Sequence, residues 1–209
     1  AAFGDSILNA RTDEARTQAA ERFLPCLRAA LSASGSYTYA FEKVKTVSRL
    51  DAPDGKFRLF TWNLPKVDGS GFRFYGVLQQ WDKKRDRITI TTLHDAGVDR
   101  PDAETAQLDS SGWYGALYYK VLLRKKSGKP CYTLLGWRGN DQRTTFKVID
   151  VLSFKGPIPV FGIPLFSVPD GSDKKKKVLK NRIIFRYSAM AVMSLRYEES
   201  KKMILFDHL

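Results

Sequence analysis

The sequence predicts a mainly β fold, an antiparallel meander forming a strongly curved sheet or an up-and-down barrel, with one or two N-terminal helices; an α+β arrangement is the alternative. Three observations predict it. From about residue 45 apolar side chains recur with the period of two that marks half-buried strands. Clusters of Gly, Asp, Asn, Ser and Pro interrupt these runs at short intervals, as hairpin turns do. Aromatic residues make up 12% of the chain and favour pleated surfaces. The 209 residues suit one domain, with a helical segment over 5–34 packed on a meander over 45–209.

The helical segment is read from "TDEARTQAAERFLPCLRAALSASG". Ala20, Phe23, Leu24, Leu27 and Leu31 fall on one face at helical spacing, and Arg16, Glu21, Arg22 and Arg28 lie largely on the other. Thr12 or Asp13 is placed to cap the start, with acids in the first turn where the helix dipole favours them. Pro25 is expected to kink the helix or split it, and Gly35 to end it.

The strands follow from their turns. In "SRLDAPDGKFRLFTWNL" Pro53 presets a turn and Asp54-Gly55 supplies the positive φ of a hairpin. A strand over 72–81 leads through "DKKRD" into "RITITTL". Residues 94–110 lack periodicity and are expected to form a long loop or a short helix. Strands over 114–123 and 131–137 flank "RKKSGK", and another runs over 144–154. The prolines of "KGPIPVFGIPLFSVPDG" exclude it from the middle of a sheet. Residues 182–209 supply two or three more strands, for a total of about nine or ten.

Charge is unevenly spread. The net charge is +13, yet residues 1–55 hold seven basic and seven acidic side chains, so residues 56–209, with twenty-eight against fifteen, carry the whole excess. A basic face attracts anions, while lysines at turn tips also keep a β-rich protein soluble. Cys26 and Cys131 belong to no CxxC pair; they could form one disulfide if the chain is exported, or be two buried thiols if it is not. No stretch is apolar for long enough to cross a membrane as a helix. The start Ala1-Ala2-Phe3 suits a mature exported product or a trimmed chain. The apolar end at Leu209 points to further residues beyond it.

Several blocks carry a resemblance. "WYGALYYK" (113–120), "LLGWRGN" (134–140), "KVIDVLSF" (147–154), "RIIFRYSAMAVMSLRYEE" (182–199) and "ILFDHL" (204–209) resemble an uncharacterised family of exported proteins from Gram-negative bacteria, and "PDGKFRLFTWNL" (53–64) is similar to its N-terminal half. The resemblance implies export to the periplasm or outside the cell and a continuation past "FDHL". It implies no reaction and no catalytic residue.

Candidate sites are few. In the aromatic hairpin, strict alternation puts Tyr114 and Tyr118 on a wet face, with "WRGN" as a nearby corner; Tyr114, Tyr118, Trp137, Arg138 and Asn140 are therefore the expected ligand contacts. Alternation puts Trp113, Leu117, Tyr119, Val121 and Leu123 in the core. Only His94 and His208 could serve a histidine-based catalyst, and Asp150, set in the apolar run 148–152, needs an Arg or backbone N–H partners if buried. The function expected is a non-enzymatic exported envelope or secreted protein, a β-rich binding or scaffolding module. Its expected partner is an anionic envelope glycan, a lipid headgroup or a protein. The alternative is an exported hydrolase of glycan or peptide using His94, Asp150 and Asp207. No metal or cofactor is expected. The basic run over 174–182 has no aromatics within it, so nucleic acid is not an expected partner.

Overall fold

A computed structural model of the chain describes residues 10–97, 100–171, 173 and 175–207. The fold is mainly β, with antiparallel sheets and, among the described residues, one helix. The part of the expected helical segment over 5–9 lies outside the described residues.

Helix α1 (Asp13–Ser32) begins where Thr12 Oγ1 accepts the backbone N–H of Ala15 at 3.2 Å. Pro25 lies inside it and neither splits nor ends it. The bond that Pro25 cannot donate would go to the carbonyl of Glu21, and both residues are exposed, so water can serve that carbonyl. Ala20, Phe23, Leu27 and Leu31 are buried against Phe60, Trp62, Leu64 and Val77, with the Phe23 and Trp62 rings edge-on at 5.2 Å. Burying each of the larger side chains is worth roughly 1.5–3 kcal/mol.

The first sheet contains β1 (Ser48–Asp51), β2 (Phe57–Pro65), β3 (Phe72–Asp82) and β4 (Arg87–His94) in sequence order. Strand β2 is buried on both faces: Phe57 and Leu59 enter the central core, and Phe60, Trp62 and Leu64 meet the helix. Arg58, on the helix side, is buried and donates to the carbonyls of Ser36, Tyr37 and Tyr39, which fixes the chain leaving α1. Burial works to lower its pKa, and the facing carboxylate of Asp51 works against that.

The second sheet contains β5 (Leu117–Lys126), β6 (Lys129–Gly139), β7 (Thr144–Lys155), β8 (Ile158–Phe161) and β11 (Ile183–Ser188). Strands β5, β6 and β7 meander, and β8 and β11 both pair with β7. Between them in sequence, β9 (Phe166–Pro169) and β10 (Lys177–Lys180) form a separate ribbon. The proline-rich stretch thus stays out of the sheet centre, as expected. The final hairpin, β12 (Leu195–Glu198) and β13 (Met203–Phe206), lays Leu195, Tyr197 and Ile204 over Leu135, Ile149 and Phe185 of the second sheet.

The two sheets face each other across the main core. Strand β5 touches β1 through Ser48 Oγ, which donates to the Tyr118 carbonyl, and β2 through Thr61 Oγ1, which accepts from Tyr118 N. No ladder joins them, so the described strands form two main sheets and close no barrel. Beyond His94, the described residues up to 110 form a loop with no helix; it is pinned by the Leu108–Phe161 bridge and buries Ala103 and Leu108.

In each meander alternate turns share an end. The turns after β2 and β6 meet at one end, where Gln142 Nε2 donates to the Asp68 carbonyl at 2.7 Å. The turns after β1, β3, β5 and β7 gather at the other.

Candidate functional site

The second of these ends carries a groove of about 870 Å³, the larger of the two hollows described below. Each of its four turns uses a left-handed backbone position, at Gly55, Asp86, Ser127-Gly128 and Gly156. Ser127 and Gly128, at φ 49° and 76°, form the two-residue link that a primed hairpin turn requires. In Gly156-Pro157 the glycine supplies φ 62° and the proline its fixed ring geometry. Such turns need polar or small residues, and here the polar ones are mostly cations.

Lys56, Lys83, Lys84, Arg85, Arg87 and Lys129 line the groove, against two carboxylates, Asp54 and Asp82. Asp82 is already engaged: Arg85 Nη1 lies 2.9 Å from Oδ2, and the N–H groups of Lys84 and Arg85 reach Oδ1. The hydrogen bond from Arg85 holds its carboxyl below the ordinary range. Asp54 Oδ2 accepts the Tyr132 hydroxyl at 2.8 Å and lies 3.5 Å from Lys56 Nζ. Burial, followed by this bond to Asp54, raises the Tyr132 pKa. Among the described residues, no carboxylate lies within ion-pair distance of Lys83, Lys84, Arg87 or Lys129.

Aromatic side chains flank the groove, Tyr132 and Phe154 on the core side of the first sheet and Trp81 on the helix side, where it alternates with Val77. Trp81, half-buried, packs on Tyr37 with ring centroids 5.2 Å apart and donates its indole N–H to Asp86 at 3.3 Å. Tyr37 in turn donates to the Gly55 carbonyl at 2.8 Å, and burial pushes its own pKa up to about 12. Tyr132 and Phe154 pack with Phe57 deeper in the same end, at 4.8 and 5.6 Å. The indole is therefore held in place before any ligand arrives. The arrangement gathers cations at one end of the fold, where an anion would meet them.

The residues expected from alternation lie elsewhere. Tyr114 and Tyr118 are buried rather than wet, and Tyr119, expected in the core, is 40% exposed. The pairing register shifts between Tyr118 and Lys120, so a bulge inserts Tyr119 and reverses the alternation after it. Gly136 makes room for Tyr118; a Cβ there would lie 2.8 Å from its ring. Arg138 is also buried, gripping both oxygens of Asp95 at 2.9 and 3.3 Å. Trp137 packs edge-on against Phe72 at 5.4 Å, and Asn140 ties its own turn to Thr144 at 2.6 Å. The corner at 137–140 belongs to the end opposite the groove and forms no open platform.

The expected catalytic groups do not assemble, and no hydrogen bond among the described residues joins any two of them. Asp150 is fully buried and accepts from the Tyr118 hydroxyl at 2.9 Å and from Val151 N at 2.8 Å. Its Oδ2 also lies 2.9 Å from Arg182 Nε. This is an ion pair by distance, although Nε is not aligned as a hydrogen-bond donor. The Arg182 pKa is opposed by burial, yet the Asp150 charge carries it above the ordinary value. Asp207 accepts from Ser194 N at 2.7 Å, bracing the last hairpin. His94 ends β4, exposed, beside a hollow of about 290 Å³ lined by Arg73, Tyr75 and Asp95. His208 lies outside the described residues, as do residues 172 and 174 near the basic run 174–182. Cys26 is exposed, Cys131 is buried, and both are free thiols.

The groove was missed because it joins four turns distant in sequence, although the alternation of basic and near-neutral turns along the meander was a usable signal. No protein-family model matches the chain, and neither the curated proteins nor the solved structures contain a match.

Proposed function

We propose that this chain is a non-enzymatic, exported, β-rich binding module that holds an anionic component of the cell envelope, a glycan or a lipid headgroup, in the groove at its four-turn end. One observation carries the reading: turns from two different sheets place six cations around a single groove. Solubility alone requires cations on turn tips but not their convergence on one end. The opposite end offers Lys66 and Arg143 together with Asp68 and Asp141. Asp150 lies in an interior ion pair and Asp207 in a hairpin contact, so the expected hydrolytic groups supply no common cleft.

The test is retention on an immobilised acidic polysaccharide as salt is raised. Wild-type protein should bind at low salt and elute as salt screens the groove. The triple variant Lys83→Glu/Lys84→Glu/Lys129→Glu changes exposed turn positions and should keep the thermal melt. Each such cation is worth about 1 kcal/mol near an anionic surface, so its binding should fall at least about tenfold. Equal retention of the folded variant and the wild type would remove the groove from consideration.

A further inference from the structure

We propose that the free edge of β4 takes up an added strand, an extended acidic segment of a partner protein, at a site that adjoins the four-turn groove but does not depend on it. The edges of the two main sheets are treated differently. Strands β1 and β5 lie against each other. Strand β8 is bridged to Leu108 through Phe161, and its Pro159 has no N–H to offer. On β11 the Glu104 carboxylate accepts the N–H of Ile184 at 3.4 Å, and the Glu104 carbonyl accepts those of Asn181 and Arg182. Strand β4 has such a cover only at its end, where His94 N donates to the Ser110 carbonyl at 2.8 Å.

That bond fixes the direction of every group along the edge. Since the His94 N–H points away from β3, the N–H and C=O groups of Ile88, Ile90 and Thr92 do so too, while Arg87, Thr89, Thr91 and Leu93 bond β3. Among the described residues, no group hydrogen-bonds to Ile88, Ile90 or Thr92 on that outer side. Residues 88–92 are all half-buried, as on an edge that solvent reaches. The run "ITITTL" (88–93) contains no charge, proline or glycine, and its register with β3 is unbroken from Asp82–Arg87 to Tyr75–His94. A regular, uncharged, β-branched edge of this kind is a template for strand addition.

The helix side of this edge sets what the strand should carry. Thr92 and His94 project there opposite Val77 and Tyr75, and Arg73 on the same face donates to Thr17 of α1 at 3.2 Å. With Leu24 of α1, these residues line the hollow of about 290 Å³. Thr92 Oγ1 is buried and has no hydrogen-bond partner among the described residues. Directly paired residues share a face, so the residue opposite Thr92 on an added strand points to the side of this hollow. A glutamate there can accept from the Thr92 hydroxyl and reach towards His94 and Arg73. Among the described residues, neither Arg73 nor Arg87, at the other end of the strand, has a carboxylate within ion-pair distance. A second copy of this chain fits less well. Two molecules of net charge +13 repel, and antiparallel pairing about Ile90 would set the basic turn over 82–87 of each against the His94 end of the other.

The experiment adds a blocked octapeptide of alternating valine and glutamate to the whole protein at low salt and follows amide hydrogen exchange. The N–H groups of Ile88, Ile90 and Thr92 should exchange quickly in the free protein and slow at least about tenfold with the peptide. In antiparallel addition, a glutamate opposite Thr92 turns its own N–H towards β4. N-methylation of the glutamates should therefore weaken binding at least about tenfold, and N-methylation of the valines should leave it unchanged. The valine–lysine peptide should bind about tenfold more weakly than the glutamate peptide. Ile90→Pro deletes an outward N–H that β3 does not use, and should weaken binding about tenfold in a protein that keeps its melt. Should that variant unfold, the two methylated peptides on the wild type decide the matter. Absence of binding by the glutamate peptide, equal binding of its two methylated forms, or equally tight binding of the lysine peptide would overturn the proposal. Protection of the same amides that rises with protein concentration alone would overturn it in favour of a second copy. Slowing confined to residues 54–56 and 127–132 would overturn it by placing the peptide in the groove.

Discussion

Asp150 and Arg182 are each completely shielded from solvent and meet at 2.9 Å between β7 and β11, close to the buried hydroxyl of Tyr118. Arg182 also donates to the Ala103 carbonyl, and its guanidinium lies 5.3 Å from the centre of the Tyr114 ring. The guanidinium of Arg138 lies over the same ring at 4.9 Å. Two ion pairs, Arg138–Asp95 and Arg182–Asp150, thus share one tyrosine inside the core and tie the 95–115 loop to β6, β7 and β11.

Breaking one of these pairs from one side should be costly. Arg182→Met leaves the Asp150 carboxylate buried without its cation and is expected to destabilise the fold by about 3–5 kcal/mol. The double variant Arg182→Met/Asp150→Leu removes both charges and should recover a large part of that loss. Urea unfolding of the three proteins checks it; equal stability of the single and double variants would mean that the pair carries no coupling.

Burial raises the pKa of Tyr118 well above its ordinary value, with the charge of Asp150 adding to the effect. Tyr119 and Tyr132 are raised as well, again first by burial. The unfolded chain releases these protons near the ordinary tyrosine value of about 10, and the folded chain keeps them. The stability they contribute is therefore complete below pH about 10 and is lost as pH rises from there towards the folded values. Tyrosinate absorbance from these residues should appear together with loss of β structure on alkaline titration. Full ionisation in a protein that keeps its circular dichroism would contradict it.

The two cysteines should separate in reactivity. Cys26, exposed on α1, is expected to react with a thiol reagent in the native protein. Cys131 is buried on the face of β6 opposite Tyr132, where burial raises its pKa and keeps the thiol protonated and inert. One equivalent of reagent should be consumed before unfolding and a second after it. The count is read by mass spectrometry, and labelling of Cys131 in the native state would refute the assignment.

Much of the fold was legible in local signals. Thr12 caps α1, the Ser127-Gly128 turn falls where glycine permits a positive φ, and the prolines after Gly156 keep that segment out of the sheet centre. The face assignment in β5 was not legible, because alternation assumes an unbroken ladder and the bulge between Tyr118 and Lys120 leaves no mark in a run of aromatics. That one residue turned the expected binding face inward and put Tyr118 beside Asp150. Asp150 itself was read as needing an Arg, but the choice of Arg182 depends on β11 pairing with β7, which no local pattern specifies. The groove needed one more inference from the same pattern: in a meander every second turn shares an end, and "PDGK", "DKKRDR", "RKKSGK" and "KGP" are every second turn.

The most direct measurement is a residue-by-residue map of the bound state: backbone amide shifts of the intact protein followed as polygalacturonate is added at low salt. The largest changes should fall on residues 54–56, 81–87, 127–132 and 154–157, and they should vanish in Lys83→Glu/Lys84→Glu/Lys129→Glu. Changes centred on 137–143 or on the β12–β13 hairpin, with the four-turn end unmoved, would contradict the account.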